Sequence, residues 1–131
     1  MSEIRVLVNG AKGRMGSEAV QAVIGADGLE LVGQTDLGDE LSSVIADAGA
    51  QVVVDFTIPS AAVQNANLIL DSGASPVIGT TGFSVEEIES LQEKAAELGR
   101  GGLIAPNFAI GAVLLMKFAQ QAAKYFPSPV E

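Results

Sequence analysis

The sequence predicts an α/β fold in which a parallel sheet is covered by helices on both faces. Short segments rich in β-branched residues alternate with segments of helical periodicity along the whole chain, which is the pattern of parallel strands joined by crossover helices. The 131 residues, 48% of them hydrophobic, suffice for one hydrophobic core and not for two. We therefore expect a single domain over residues 1–131.

The first four elements follow the order strand, helix, strand, helix. Ile4–Asn9 is short, rich in β-branched residues and followed directly by glycine, as a strand is before a tight turn. Apolar residues recur at helical spacing over residues 15–24, and residues 29–34 again have the character of a strand. A short helix is predicted over Leu41–Ala48, closed by Gly49.

The next elements repeat this alternation. Residues 52–56 form a continuous apolar segment, which is typical of a parallel strand buried on both faces. A helix that opens with proline is predicted over residues 59–70, and a strand follows over residues 76–78. Ser84 and Glu87 are spaced as in a capping box and predict the start of another helix.

The last strand and helix complete the pattern. Residues 103–105 predict a fifth strand, and residues 110–125 predict a long helix stopped by the prolines at positions 127 and 129. Parallel neighbours need crossover connections, and these are almost always right-handed. The alternation therefore favours a Rossmann-like, doubly wound parallel sheet.

The composition excludes several classes of function. The chain has no cysteine and no histidine, which excludes disulfides, thiolate nucleophiles and the usual zinc ligand sets, so we expect no metal site. Histidine is also the commonest general acid or base near neutral pH, so proton transfer must come from elsewhere. A net charge of −9 disfavours nucleic acid as a partner. No apolar run could span a membrane and no signal sequence begins the chain, so we expect a soluble cytoplasmic protein.

The turn after the first strand has the composition of a phosphate-binding loop. Residues 10–16 read GAKGRMG, and these glycines permit a tight turn and close approach of the backbone to a pyrophosphate. We expect free N–H groups at Gly13 to Met15 and the positive end of the helix dipole to face that group. The residues expected to contact it are Gly10, Ala11, Lys12, Gly13, Arg14 and Met15. Glycines also serve ordinary strand-to-helix turns, so the motif alone leaves both interpretations open.

An acidic residue stands where a dinucleotide site needs one. Asp36 lies 20 residues after Gly16, at the end of the second strand, where a carboxylate would accept hydrogen bonds from the adenosine ribose. The alternative is a solvated turn residue, because glycine and aspartate follow closely. A carboxylate there repels the 2′-phosphate of NADPH, whereas Lys12 and Arg14 would offset that repulsion. The expected cofactor is therefore NADH or NADPH, and use of both is allowed.

Three further segments follow predicted strands, at the edge where open α/β sheets bind ligands. They are DFTIP at residues 55–59, GTTGF at residues 79–83 and APNFAIG at residues 105–111. Their small hydroxyl, glycine and amide groups suit neutral hydrogen bonds to a nicotinamide ribose and carboxamide. Each also has a structural explanation: helix caps for Thr57, Ser60 and Ser84, strand ends for Thr80 and Thr81, and a turn for Asn107.

The segments GAKGRMG, DFTIP, GTTGF and APNFAIG, in this order, resemble the N-terminal part of the 4-hydroxy-tetrahydrodipicolinate (dihydrodipicolinate) reductase family, over essentially the whole chain. The resemblance implies that residues 10–15 and Asp36 hold the adenosine half of NAD(P)H. It assigns the nicotinamide half to Gly79, Thr80, Thr81, Ala105, Pro106, Asn107 and Phe108. Leu37 departs from family members that have arginine there to accept a 2′-phosphate, and Lys12 is the expected substitute.

The resemblance also implies a reaction, which is hydride transfer from the nicotinamide to a cyclic unsaturated dicarboxylate in lysine and diaminopimelate biosynthesis. Family members continue into a segment with paired histidines, a lysine and a Ser-Gly-Thr turn, which supply the proton and hold the substrate. This sequence has no histidine, so we expect no catalytic residue in it and cofactor binding without turnover. The C-terminal substrate domain, the dicarboxylate and the homotetramer are expected only for the complete enzyme.

Two other interpretations stay open on the sequence alone. One is a stand-alone dinucleotide-sensing module, which would show binding coupled to a partner. The other is a domain of a different NAD(P)-dependent dehydrogenase family, in which GTTGF is a coincidental turn.

Overall fold

Residues 2–126 are described by a computed structural model of the chain. Five strands and five helices alternate along them. The strands are β1 (Ile4–Asn9), β2 (Leu29–Thr35), β3 (Val52–Asp55), β4 (Ser75–Ile78) and β5 (Leu103–Ile104). The helices are α1 (Arg14–Gly25), α2 (Leu41–Ala48), α3 (Pro59–Asp71), α4 (Val85–Glu97) and α5 (Ile110–Ala123). The predicted order of elements is confirmed.

The sheet has the strand order β2-β1-β3-β4-β5, and every neighbouring pair is parallel. The chain moves outward from β1 to β2 and then crosses back to β3, on the other side of β1. The winding direction therefore reverses between β1 and β3. Such a switch point opens a crevice at the carboxyl ends of the strands, where α/β proteins bind ligands.

Helices cover both faces of this sheet. On one face, Val20 and Val23 of α1 pack with Val6 and Val8 of β1 in one apolar cluster. On the other face, α2, α3 and α4 pack against the sheet in a larger cluster. The largest fully buried side chains of the larger cluster are Leu7, Ile45, Val53, Ile69 and Ile78. Alternate residues of a strand thus face opposite helix layers, and the predicted doubly wound fold is confirmed.

Three of the predicted elements extend one or two residues beyond the observed ones, and several others are one residue too short at an end. The strand predicted over residues 52–56 ends at Asp55, because the N–H of Thr57 turns back to bond the Asp55 side chain. The last strand is Leu103–Ile104, which pairs with β4 over these two residues; Ala105 follows it outside the strand, although its N–H still donates to the carbonyl oxygen of Ile78. The last helix ends at Ala123, where the following amides bond three residues back in tighter turns. The prolines at positions 127 and 129 lie outside the described residues.

The helix α5 differs from the other four because none of its residues is buried. Its apolar side chains include Ile110, which is 78% exposed, and Leu115, which is 69% exposed. Over residues 2–126, no helix combines the length and the apolar character that crossing a membrane requires. The core is therefore built by the sheet together with α1 to α4.

Candidate functional site

The connection from β1 to α1 requires glycine at two positions, one in the turn and one in the first turn of α1. Gly10 has a φ of +78°, in the left-handed region, and a Cβ on it would lie 2.6 Å from the carbonyl oxygen of Phe56. A Cβ on Gly16 would lie 1.8 Å from the carbonyl oxygen of Gly10, because the first turn of α1 packs directly on the turn before it. Both glycines therefore allow close approach of backbone to backbone, and Gly10 lies in the tight turn that the sequence predicts.

The N-terminus of α1 is suited to an anion. Its N-cap is Gly13, which has no side chain to cap the helix, and the first turn of the helix contains no acidic residue. The positive end of the helix dipole is directed at the turn, and the exposed side chains of Lys12 and Arg14 add positive charge beside it. One expectation is corrected: the N–H of Gly13 is not free, because it donates to the carbonyl oxygen of Gly10 at 3.1 Å.

The carboxylate of Asp36 links the end of β2 to the glycine turn. Its Oδ2 accepts a 2.8 Å hydrogen bond from the backbone N–H of Lys12, and its Oδ1 accepts a 2.8 Å bond from the N–H of Leu37. These bonds, that from Leu37 foremost, lower the pKa of the Asp36 carboxyl below its ordinary value. The turn expected as the alternative also exists, since the N–H of Asp36 donates to Oδ2 of Asp39. Asp36 is thus an ionised carboxylate held beside the glycine turn.

A cavity of about 440 Å³ lies at the carboxyl ends of β1, β2 and β3. Three of the residues predicted for the adenosine side, Gly10, Gly13 and Asp36, line it. The lining residues that were not predicted as cofactor-binding are Asn9, Leu37, Gly38, Asp39, Leu41, Phe56, Thr57, Ile58, Ala61 and Asn65. A sequence signal exists for Asn9, a polar residue that ends an apolar strand, whereas Asn65 lies inside α3 without any signal.

The ring of Phe56 joins this cavity to the loops after β4 and β5. A Cβ on Gly79 would lie 2.1 Å from Cε1 of Phe56. The ring can therefore occupy this position only because residue 79 is glycine. The rings of Phe56 and Phe108 meet edge to face, with their centroids 5.2 Å apart. The hydroxyl of Thr80 donates to the carbonyl oxygen of Thr57 at 3.2 Å. Loops that follow three different strands are therefore held together at one edge.

The predicted nicotinamide-side residues do not share the first cavity. Thr80, Thr81 and Pro106 line a second cavity of about 460 Å³, which lies between α3, α4 and the strands β4 and β5 and has mainly apolar walls. Asn107 serves a turn, since its Oδ1 lies 3.5 Å from the N–H of Ala109 that donates to it. Six of the fourteen predicted residues thus line two separate cavities at one edge of the sheet. The other eight line neither cavity: Ala11, Lys12, Arg14, Met15, Gly79, Ala105, Asn107 and Phe108.

Two of the three predicted helix caps are wrong. Ser84 does cap α4, because its Oγ accepts the N–H of Glu87 at 3.1 Å and its own N–H donates to the Glu87 carboxylate at 2.8 Å. The N-cap of α3 is Ile58, which has no side-chain cap bond, so neither Thr57 nor Ser60 has this role. The hydroxyl of Thr57 instead donates to Asp55.

The parallel sheet, the glycine turn at its switch point and the carboxylate after β2 together define a Rossmann-like nucleotide-binding domain. Comparison with known proteins assigns it more narrowly. Residues 4–108 match the family described as dihydrodipicolinate reductase, N-terminus. The chain belongs to this family, so the resemblance of its motifs is confirmed and the alternative of a different dehydrogenase family is excluded.

The chain is similar to several curated and solved members of this family. It is 49% identical over 136 residues to 4-hydroxy-tetrahydrodipicolinate reductase of Streptococcus suis, covering 95% of this chain and 53% of that protein. It is 50% identical over 129 residues to the enzyme of the same name from Streptomyces griseus, covering 98% and 51%. The structure of dipicolinate-bound dihydrodipicolinate reductase from Paenisporosarcina sp. TG-14 superposes with a TM-score of 0.84 at 36% identity, covering 96% and 56%. The chain therefore spans about half the length of the relatives it matches.

Proposed function

We propose that this chain binds NADH or NADPH along the carboxyl edge of its sheet. The adenosine half would contact residues 10–15 and Asp36, and the nicotinamide half would contact residues 79–81 and 105–108. The observation that carries the proposal is the ionised carboxylate of Asp36, held against the glycine turn by the N–H of Lys12. A carboxylate that can accept hydrogen bonds from a ribose and a helix N-terminus that suits a pyrophosphate then border the same cavity.

The distribution of charge supports this assignment. The net charge is −9, yet two of the seven basic residues, Lys12 and Arg14, stand in the glycine turn. Within residues 2–126, neither of them forms an ion pair with an acidic side chain. Their charge is therefore available to the phosphates of a cofactor, including the 2′-phosphate of NADPH.

The nicotinamide-side residues suit a neutral ring. None of residues 79–81 and 105–108 is titratable, so they would bind the ring without introducing charge beside it. A bound reduced nicotinamide supplies a hydride. The Phe56 and Phe108 rings would give this part of the edge an apolar wall, while Thr80 and Asn107 offer hydrogen-bonding groups.

We extend the proposal to the whole protein, which would transfer that hydride to a cyclic unsaturated dicarboxylate. The Paenisporosarcina relative is bound to dipicolinate, which is a cyclic dicarboxylate. This sequence has no histidine and no cysteine, so we assign proton donation and substrate binding to the half of the relatives that the chain does not cover. The chain alone would then bind cofactor without turnover, and a tetramer would need the remaining half.

Isothermal titration of the chain with NADH and with NADPH tests cofactor binding. We expect dissociation constants between micromolar and millimolar, because a single domain offers only part of the contacts of a complete enzyme. If neither cofactor binds at millimolar concentration, while circular dichroism shows a folded chain, the proposed function is wrong.

Substitutions at Asp36 and Lys12 should move the cofactor preference in opposite directions. Asp36→Ala removes the ribose acceptor and the repulsion of a 2′-phosphate, so the ratio of NADH to NADPH affinity should fall by about tenfold. Lys12→Ala removes the phosphate partner but keeps the N–H that holds Asp36, so this ratio should rise. Titration of both variants measures the change.

Asp47→Ala and Lys124→Ala are matched controls for these charge changes. Both residues are exposed and line neither cavity, so their replacement should leave the ratio unchanged. A shift in the same direction for Asp36→Ala and Lys12→Ala would contradict the assigned roles of the two residues.

A further inference from the structure

The carboxylate of Asp55, at the end of β3, is completely buried and has no part in the cofactor contacts assigned above. Its Oδ1 accepts hydrogen bonds from the N–H of Thr57 at 3.0 Å and from the hydroxyl of Thr57 at 2.6 Å. Its Oδ2 accepts bonds from Nδ2 of Asn9 at 2.8 Å and from Nδ2 of Asn65 at 2.9 Å. All four acceptor positions of an ionised carboxylate are thus used.

Burial of this carboxylate disfavours folding, so its presence requires an explanation. Aspartate is almost never fully buried unless it is paired with a cation, and burial of a charge requires compensation. Within residues 2–126, no lysine or arginine forms an ion pair with Asp55, so neutral donors alone provide that compensation. An apolar residue would fill the end of an apolar strand at lower cost.

The bonds of Asp55 belong to a chain of hydrogen bonds that crosses the carboxyl ends of four strands. On one side, the hydroxyl of Thr35, at the end of β2, donates to Oδ1 of Asn9 at 2.9 Å, and Asn9 ends β1. On the other side, the hydroxyl of Thr80, after β4, donates to the carbonyl oxygen of Thr57. We call Thr35, Asn9, Asp55, Thr57 and Thr80 the edge network.

The edge network lies directly beneath both halves of the assigned cofactor site. The N–H groups of Gly10 and Ala11 donate to the carbonyl oxygen of Thr35, whose neighbour in sequence is Asp36. The N–H of Gly79 donates to the carbonyl oxygen of Asp55 at 2.9 Å. Every loop proposed to contact the cofactor, except that after β5, thus begins within one residue of the network.

We propose that Asp55 is a positioning residue, which holds the adenosine-side and nicotinamide-side loops at the spacing that one dinucleotide needs. The inference rests on the proposed function, because it concerns the same cofactor site. A dinucleotide that contacts both loops behaves as a bivalent ligand, and its second contact is strong only when the loops are already at the correct separation. Asp55 therefore contributes to the affinity for intact NADH and not to the affinity for the adenosine half alone.

Asp55→Asn tests this role without changing the volume of the side chain. The asparagine side chain can take two orientations. If its Nδ2 replaces Oδ1, this donor faces another donor, the backbone N–H of Thr57, which cannot reorient. If its Nδ2 replaces Oδ2, it faces the side-chain amides of Asn9 and Asn65. We expect NADH to bind about tenfold more weakly, which corresponds to the loss of one or two buried hydrogen bonds. We expect the affinity for ADP to change by less than about twofold. Titration calorimetry of both ligands gives this ratio directly.

Two further variants keep the test decisive. Thr35→Val breaks the network at a buried residue that lines neither cavity, so it should lower NADH affinity relative to ADP even if Asp55→Asn fails to fold. Asp71→Asn is the matched control, because Asp71 is bonded to Lys94 between α3 and α4, away from the edge network. The ratio of NADH affinity to ADP affinity in Asp71→Asn should equal that of the unchanged chain.

The outcomes separate this inference from the proposed function. Equal losses for NADH and ADP in Asp55→Asn and Thr35→Val, or no loss for either ligand, would overturn the positioning role while leaving cofactor binding intact. Failure of the unchanged chain to bind NADH would overturn the proposed function and this inference together.

Discussion

At the scale of single residues, the site depends on backbone atoms that come closer together than a side chain would allow. The carbonyl oxygen of Gly10 occupies the space that a Cβ on Gly16 would need, and the Phe56 ring occupies the space beside Gly79. Close approach of this kind allows the N-terminus of α1 to lie against the end of β1, which brings the helix dipole to the cavity. The same contacts make single substitutions informative.

Gly16→Ala should destabilise the chain strongly, and Gly25→Ala in the same helix should not. A methyl group at Gly16 would meet backbone 1.8 Å away, whereas one at Gly25 would meet nothing within 4 Å. We expect a loss of about 2 kcal/mol or more in the free energy of unfolding for Gly16→Ala, and no loss for Gly25→Ala. Urea denaturation measures both, and equal values for the two variants would contradict the packing described for the turn.

The carboxylate of Asp36 should contribute to stability in a pH-dependent way. Its pKa is lowered in the folded state by the N–H groups of Leu37 and Lys12, so the ionised form favours folding. This contribution is complete above the unfolded pKa, near pH 4, and is lost as pH falls through the lower folded pKa. The unchanged chain should therefore be more stable than Asp36→Asn at pH 7, with the difference vanishing in acid. A difference in melting temperature that persists at pH 2 would contradict this explanation.

At the scale of helices and strands, local sequence determines some ends and tertiary contacts determine others. The start of α4 was predictable because a capping box involves only Ser84 and a residue three positions later. The end of β3 was not, because it depends on how Thr57 turns back to Asp55. The end of β5 depends on its pairing with β4, and periodicity contains no information on that pairing.

Ser84→Ala should destabilise the chain by about 1 kcal/mol, the usual contribution of an N-cap side chain. Ser60→Ala is the matched control, since Ser60 lies in the first turn of α3, is exposed and is not its cap. Thermal or urea unfolding monitored by circular dichroism gives both values. A cost for Ser60→Ala as large as that for Ser84→Ala would show that the capping box of α4 is not the source of the effect.

At the scale of the whole molecule, the alternation of strands and helices was sufficient to predict the parallel sheet and the edge that carries the glycine turn and Asp36. The edge network was not predictable, because Asn9, Thr35 and Asp55 are distant in sequence and meet only in the folded chain. The sequence also did not show that six of the predicted residues line two separate cavities and that the other eight line neither. Strand order places the loops at one edge, but it does not show that the Phe56 ring packs against Phe108 and borders the first cavity.

The proposed binding of both halves of a pyridine dinucleotide at one edge of the sheet is tested most directly by nuclear magnetic resonance of the ¹⁵N-labelled chain titrated with NADH. We expect the amide resonances of Gly10, Gly13, Asp36, Thr80 and Phe108 to shift together with one dissociation constant, and those in the middle of α4 to stay in place. Shifts confined to the exposed helix α5, or no shift at Gly13 and Asp36 when NADH is bound, would contradict it.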